Sequence, residues 1–332
     1  MSQRPNGRPS GRPSVLVTRR LPASVLERLR ESYEVTVNPD DRSLGREGLL
    51  AALRSFDALS PTITDKLDAG LLLTPGIRTR IIANFGAGYE HIDVAAAKSA
   101  NLVVTNTPDA LTDATAELTL LLILMASRRA GEGERLVRAG KWTGWAPTQL
   151  LGTGVTGKTL GLIGFGRIAR ETARRARAAF GMRIGYFSRS RASADEEAAL
   201  NAEYHSSLAG LLAAADIISL HCPGGEDTRH LINAQTLARM KPAAILINTA
   251  RGSVVDEEAL ANALSQRQIA AAGLDVYERE PAVSPALTEL DNVVLLPHLG
   301  SATLEARTAM GMQMADNLDA FFGGRTPPNR VA

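Results

Sequence analysis

Thr159–Arg170 reads TLGLIGFGRIAR, and the fold of the chain is read outward from this stretch. An apolar strand-like run ends in a turn where Gly164, Gly166 and Ala169 form a GxGxxA pattern, and a helix-like segment follows directly. Each small residue has a physical task. Gly164 permits a tight turn, Gly166 lets backbone approach a pyrophosphate, and Ala169 keeps helix and strand close. The free N–H groups and dipole of the helix N-terminus then favour an anion. An isolated glycine pattern is weak evidence, but the strand before it and the helix after it make it a dinucleotide-binding fingerprint.

After the fingerprint the strand-like runs RIGYFS, DIISLHC, AILINTA, AAGLDV and NVVLLPH follow, separated by helical or loop segments. With TLGLIGF they make six strands, enough for a complete dinucleotide-binding sheet. Before it, SVLVTRR, EVTVN, FDALSPT, RIIANFG and LVVTNTP alternate with helical segments, which predicts βαβ units and a second parallel sheet. Thr112 to Ala130 lacks Pro and Gly and predicts a long helix, where the chain first crosses between domains. SATLEARTAMGMQMADNLDAFFGG predicts a helix closing at Gly323-Gly324 and packing back on the first domain. The expected class is α/β: two Rossmann-like, doubly wound parallel-sheet domains, the cofactor domain inserted into a discontinuous substrate domain. The expected boundaries are a disordered tail over 1–13, a flavodoxin-like substrate domain over 14–110 and 299–332, and an NAD(P)-binding domain over 111–298.

Composition narrows the class. At 332 residues about two domains are expected from typical domain sizes. The chain is 45% hydrophobic and 22% charged, as globular enzymes are. Its 37 Lys+Arg against 35 Asp+Glu leave +2, which argues against nucleic acid or a membrane as main partner. One cysteine, Cys222, forms no intramolecular disulfide and is too few for a cysteine-based zinc site; a reducing, cytoplasmic location is expected. The apolar stretch Leu118–Ala126 is far too short to span a bilayer. The opening MSQRPNGRPSGRPS has no apolar signal core, and Arg4, Arg8 and Arg12 read as solvated.

Cofactor choice is read about 20 residues beyond the fingerprint, where an NAD-preferring protein usually carries Asp or Glu. Here Ser188, Arg189 and Ser190 stand instead. Without a carboxylate to repel a 2′-phosphate, and with Arg189 able to bind it by forked, charge-assisted hydrogen bonds, NADP(H) is preferred over NAD(H). The competing explanation is that Arg189 and Arg191 are ordinary solvated loop arginines.

Arg251 in INTARGSVVDE, Glu280 in DVYEREP and His298 in LLPHLGSAT follow late strands, on the rim where open α/β sheets bind ligands. Reducing a 2-oxo acid needs a cation to polarise the oxo group, a proton donor for the developing alkoxide, and a group that keeps the donor protonated. Arg, His and Glu meet those needs in that order. Singly, each has an ordinary structural explanation; their joint placement points to chemistry. His221 precedes Cys222, but adjacent strand residues face opposite ways, so the two form no nucleophile–base pair. The other histidines have no metal-ligand spacing, and no metal is expected.

GLIGFGRIAR, SLHCPGGEDTRHLI, INTARGSVVDEEAL, AAGLDVYEREP and LLPHLGSAT, with NFGAGYEHID and TAELTLLLILMASRR, resemble in order the signatures of the D-isomer-specific 2-hydroxyacid dehydrogenases. KWTGWAP adds likeness to the glyoxylate/hydroxypyruvate reductases among them. The resemblance implies His298 as acid/base, Glu280 as its partner and Arg251 as the grip on substrate carboxylate and carbonyl. It implies Phe165, Arg167 and Ile168 around the pyrophosphate, and His221, Cys222, Pro223 and Thr228 beside the adenosine half. Thr249, Ala250, Asp275 and Gly300 match positions near the nicotinamide. Gly86, Ala87 and Gly88 match the turn whose N–H groups bind the carboxylate, and Leu59 and Phe85 would line the substrate side. Trp142 and Trp145 match a loop that reaches a neighbouring subunit's active site, Trp145 being the contact, so a homodimer is implied.

The chain departs from the pattern twice: Ala169 replaces the usual third glycine, and Asn84 stands where many relatives have arginine. The implied activity is NADPH-dependent reduction of glyoxylate or hydroxypyruvate to the D-2-hydroxy acid. Two alternatives share the fold: an NAD(P)H-sensing, corepressor-like binding protein, and a formate, phosphite or other D-2-hydroxyacid dehydrogenase.

Overall fold

A computed structural model describes residues 11–332 of the chain. The described chain divides into two compact units, one running to Leu111 and resuming at Thr303–Ala332, the other being Thr112–Ala302. Of the expected disordered tail, residues 1–10 lie outside the described residues. Arg12 and Pro13 belong to the fold instead: Arg12 donates to the Arg30 carbonyl at 3.1 Å, and Pro13 O accepts from Glu34 N at 3.0 Å.

The discontinuous unit holds β1 (Ser14–Val17), β2 (Glu34–Val37), β3 (Ala58–Ser60), β4 (Ile81–Ala83) and β5 (Val103–Thr105), all parallel, in the order β2-β1-β3-β4-β5. β1, β3 and β4 are buried throughout, while the edge strand β2 alternates exposed and half-buried. A strand covered on both faces must be apolar throughout, which is why SVLV and IIA read as unbroken runs. One face is filled by Leu49, Leu53, Leu71 and Leu72, the other by Val25, Leu29, Met314 and Leu318. The last two come from the helix Leu304–Phe322, which packs on the helix Ala23–Ser32 as the sequence predicts. Gly311 is required there, since a side chain would overlap Val25. Tyr33 Oη donates to Asp319 at 2.5 Å, and Arg28 pairs with the same carboxylate. Beyond the helix the terminus lies along β5: Val331 N donates to Val104 O at 2.7 Å.

The inserted unit holds β6 (Thr159–Ile163), β7 (Arg183–Phe187), β8 (Ala202–Tyr204), β9 (Ile217–Leu220), β10 (Ile245–Asn248), β11 (Ala271–Leu274) and β12 (Val293–Leu295). All are parallel, in the order β12-β11-β10-β9-β6-β7-β8. The sheet has seven strands where six were expected. The addition, β8, is a three-residue edge strand pairing only with β7, too short for alternation to reveal it. Strand order reverses between β6 and β9, the crevice where doubly wound sheets bind ligands. Helix Arg167–Phe180 packs through Ala169, Thr172, Ala173 and Ala176, a narrow stripe of small residues at helical spacing that brings its axis close to the sheet. Gly181, at φ 59°, closes it in the left-handed conformation.

The predicted long helix is shorter than its composition implied. It spans Thr112–Ser127, and Arg129 turns left-handed (φ 51°) before a second helix, Ala130–Arg138. Arg129 closes a fork on Glu132, with both bonds at 2.9 Å. Among the described residues no helix is long and apolar enough to cross a membrane.

Candidate active site

At the tip of β6, Gly164 has φ +88°, and a Cβ there would stand 2.7 Å from the His221 carbonyl and 2.8 Å from Cys222 N, backbone atoms that do not yield. Only glycine fits, because the turn after β6 lies directly on the backbone leaving β9. Gly166 differs. A Cβ there meets nothing within 4 Å, so its missing side chain leaves open space at the start of helix Arg167–Phe180, for which Gly166 is the N-cap without a side-chain cap bond. Open space in front of free helical N–H groups fits a phosphate anion. Phe165, expected with the cofactor residues, turns its ring into the core, stacked on Tyr186 at 3.9 Å between centroids. Only its backbone faces the turn. Ala169 is fully buried and Ile168 half-buried, while Arg167 is exposed.

The loop after β7 separates its two arginines. Arg191 is engaged with Glu197 at 2.8 and 2.9 Å and lies 5.3 Å from the centroid of Tyr204, so it is tied into the loop and is not an ordinary solvated arginine. Arg189 is exposed, and among the described residues no hydrogen bond or ion pair engages it. Ser188 is half-buried and Ser190 exposed. After β9, Nε2 of His221 is 2.9 Å from Ser219 Oγ, and burial pushes the imidazole down to about 3. Burial likewise pushes the Cys222 thiol up to about 11, so it is no ready nucleophile. Thr228 Oγ1 donates to the Pro223 carbonyl at 2.7 Å, bracing that loop.

The three residues singled out for chemistry arise from loops after β10, β11 and β12. Asn248, at the end of β10, accepts from Ala250 N at 3.0 Å and donates to Arg251 O at 2.9 Å, folding the loop that presents Arg251. Gly252 then touches the backbone of Tyr277 and Glu278 so closely that any side chain would overlap it. This contact joins the Arg251 loop to the loop carrying Glu280. Gly224 flanks the stem of Arg251 from the other side, 3.1 Å from a built Cβ to Cγ. Thr249 Oγ1 lies 3.0 Å from Thr119 Oγ1, which itself donates to Thr115 O.

His298 sits at φ 55°, a conformation a non-glycine residue holds only under constraint. Buried Asp275 supplies the constraint. Its carbonyl accepts from His298 N at 2.9 Å, and its carboxylate oxygens accept from Leu299 N at 2.6 Å and Gly300 N at 2.8 Å. Burial raises the Asp275 carboxyl above its ordinary value against the pull of these N–H groups. Thus presented, His298 places Nδ1 2.8 Å from Glu280 Oε2, while Glu280 Oε1 accepts from Tyr277 N at 3.1 Å. Burial works against ionisation of Glu280, but the bond to His298, the His298 and Arg251 charges and the Tyr277 N–H outweigh it, and its carboxyl lies below the usual range.

In the discontinuous unit, the turn after β4 presents its backbone in one sense. Gly86 O accepts from Thr107 N (2.9 Å) and Asn84 Nδ2 (3.1 Å), Ala87 O from Asn106 Nδ2 (2.7 Å), and Gly88 O from Asn84 Nδ2 (2.9 Å). Every carbonyl of the turn is taken, and among the described residues no bond engages the N–H groups of Gly86, Ala87 or Gly88. Such a row of donors suits a carboxylate. Asn84, noted only as a departure, is a scaffold residue of this turn, and its Oδ1 meets His91 Nε2 at 3.0 Å. Leu59 requires correction: it is fully buried in the β3 core, so its side chain supports the rim and does not line it. Phe85 is half-buried beside the turn, its N–H donating to Pro61 O at 2.9 Å.

Sequence alone did not reveal Asn248, Gly252, Asn84 and Asn106 as supports of the site. Trp142 and Trp145, in the inserted unit, are 54% and 80% exposed, and Trp142 Nε1 donates to Gln149 at 3.3 Å.

Residues 120–300 match the model of the D-isomer specific 2-hydroxyacid dehydrogenase, NAD binding domain. A glyoxylate reductase of Thermococcus kodakarensis is 46% identical over 324 residues, covering 96% of each chain. One from Aeropyrum pernix is 47% identical over 326 residues, again covering 96% of each. A crystal structure of an NADPH-dependent glyoxylate/hydroxypyruvate reductase from Sinorhizobium meliloti, in complex with NADP and malonate, superposes with a TM-score of 0.85 at 37% identity, covering 97% of each chain. A family model matched over residues 120–300 and relatives 46% and 47% identical over nearly the whole length lead to one conclusion: this chain belongs to the D-isomer-specific 2-hydroxyacid dehydrogenases.

Proposed function

We propose that the protein reduces a small 2-oxo acid, glyoxylate or hydroxypyruvate, to glycolate or D-glycerate, with NADP(H) preferred and NAD(H) accepted less well. The observation that carries this reading is the 2.8 Å contact from His298 Nδ1 to Glu280. With Nδ1 engaged by a carboxylate, Nε2 is the atom left to deliver a proton, and the contact fixes the direction in which the ring presents it. When bound, the reduced nicotinamide supplies the hydride to the carbonyl carbon. His298 protonates the oxygen as charge develops on it, Arg251 polarises that oxygen and holds the carboxylate, and the N–H groups of Gly86–Gly88 take the remaining carboxylate charge. The reaction consumes one proton and oxidises one NADPH per hydroxy acid formed.

The cofactor half rests on Thr112–Ala302, where the turn at Gly164–Gly166 and the helix after it would hold the pyrophosphate. Thr249, Ala250, Asp275 and Gly300 would flank the nicotinamide, and His221, Cys222, Pro223 and Thr228 the adenosine. Arg189 would take the 2′-phosphate, a reading supported by its exposure and by the missing carboxylate at that position. The unit that resumes at Thr303 would bind substrate. The names of the Thermococcus and Sinorhizobium relatives support the choice of oxo acid. Exposed Leu121, Val137, Trp142, Trp145 and Leu151 all fall within one stretch of the inserted unit, exposed apolar side chains that a second copy of the chain would cover, with Trp145 reaching the partner's substrate. The free Cys222 is in keeping with a cytoplasmic location.

The test is a panel of C2–C4 oxo acids, each with NADPH and with NADH, followed by loss of reduced cofactor, with formate and phosphite assayed in the oxidative direction. Fastest turnover with glyoxylate or hydroxypyruvate and NADPH is the expected result. No turnover with any oxo acid overturns the reductase reading, and oxidation of formate or phosphite alone replaces it.

A further inference from the structure

The segment between β7 and the next helix is clasped at both ends around Arg189, which is exposed and, among the described residues, engaged by no hydrogen bond or ion pair. At its start, Phe187 O accepts from Gly164 N at 2.8 Å, tying the end of β7 to the fingerprint turn. At its end, the Tyr186 hydroxyl accepts from Ala192 N at 2.9 Å and donates to Glu197 at 2.6 Å, and Glu197 holds Arg191 by two further bonds. Ser193 then caps the following helix, Ala194–Leu200, in a reciprocal box with Glu196. Between these anchors lie Ser188, Arg189 and Ser190. Tyr186 also stacks on Phe165 of the fingerprint, so one side chain touches the turn that would hold the pyrophosphate and pins the loop that would hold the 2′-phosphate.

Resting on the NADPH reading above, we propose that Tyr186 and Glu197 are positioning residues for cofactor choice: their clasp holds Arg189 at a set distance from the fingerprint turn and keeps Arg191 out of the phosphate site. Three features distinguish this from ordinary loop packing. The clasp converges on the loop where NADP and NAD are told apart, it ends on the fingerprint turn itself, and it spends one arginine structurally while leaving its neighbour free. Because NAD(H) has no 2′-phosphate, its binding draws nothing from where Arg189 stands, so loosening the clasp penalises one cofactor selectively.

The test uses Tyr186→Phe, which keeps the ring stack and changes no charge. Steady-state kinetics with a saturating oxo acid should show KM for NADPH rising about fivefold to tenfold, the scale of a lost hydrogen bond that positions a charged contact. KM for NADH should stay within about twofold and kcat should be unchanged with either cofactor. Glu197→Gln is the second variant: it loosens the same clasp and should lower the NADPH-to-NADH ratio of kcat/KM in the same direction. An unchanged ratio in both variants overturns the proposal, as does an equal rise of both KM values, which marks a merely structural role. Tighter NADPH binding in Glu197→Gln also overturns it, since Arg191 would then be a reader in waiting. If the unaltered protein favours NADH, the NADPH reading itself fails and the clasp falls with it. If it favours NADPH while the variants leave the ratio intact, the clasp alone fails.

Discussion

Replacing Glu280 by glutamine tests the proton-delivery device at its centre. Glu280 is ionised through the neutral range because His298, Arg251 and Tyr277 N–H together overcome burial. A carboxyl depressed in this way stabilises the fold above the ordinary carboxylate range, and that contribution is lost as pH falls through the lowered value. The His298 contact is 2.8 Å long, with side chains 33% and 32% exposed. A hydrogen bond between charged groups contributes about 1.5–3 kcal/mol, and partial exposure selects the lower end. Since about 1.4 kcal/mol is a factor of ten in rate, Glu280→Gln should lower kcat/KM for oxo-acid reduction by at least about tenfold. Both Glu280 oxygens are acceptors, one for Tyr277 N and one for His298 Nδ1, and an amide offers only one oxygen. The assay is initial-rate NADPH oxidation with limiting glyoxylate across the pH range, in buffers of constant ionic strength. A kcat/KM within about twofold of the unaltered protein would refute the reasoning, since His298 would then need no carboxylate to hold it.

Four other substitutions probe separate parts of the protein. His298→Ala should cost about 10²–10⁴ in kcat while cofactor affinity, read by fluorescence titration, changes little; retained turnover would assign the proton to another group. Gly166→Ala should leave the melting temperature unchanged, because a Cβ there meets nothing within 4 Å, yet raise KM for cofactor at least about tenfold by occupying the space meant for phosphate. Gly164→Ala should instead destabilise the fold by about 1–3 kcal/mol or more, given its φ of +88° and the His221 backbone against it. In Asp275→Asn the amide can serve only one of Leu299 N and Gly300 N; a loss of about 1–3 kcal/mol in denaturant unfolding and a lower kcat are expected, and unchanged values would show that the His298 loop needs no such constraint.

Much of the fold was legible because its strands are buried on both faces and so read as unbroken apolar runs, and because the fingerprint sits squarely between a strand and a helix. What escaped notice did so for physical reasons. β8 is too short to show a period, and Arg129 breaks a helix without glycine or proline, held left-handed by its fork on Glu132. Arg251, Glu280 and His298 were singled out from sequence because they follow predicted strands. Their supports were not. That Gly252 must be glycine is decided by Tyr277 and Glu278, and the part played by Asn84 depends on carbonyls two and four residues ahead in a turn whose path the sequence does not specify. Leu59 and Phe165 show the converse: sequence position does not tell that their side chains are committed to the core, which leaves only their backbone to serve a site.

The helix Leu304–Phe322 has a consequence for how the protein is made. A domain at the start of a chain ordinarily folds first as it leaves the ribosome, but here Val25 and Leu29 wait for Met314 and Leu318, and Tyr33 and Arg28 wait for Asp319. The inserted unit, contiguous in sequence, is complete before they arrive. The N-terminal sheet must therefore wait, one apolar face uncovered, through the synthesis of the inserted unit, so the order of folding is the reverse of the order of translation. A chain cut before Thr303 should keep a folded inserted unit and lose the unit that precedes it.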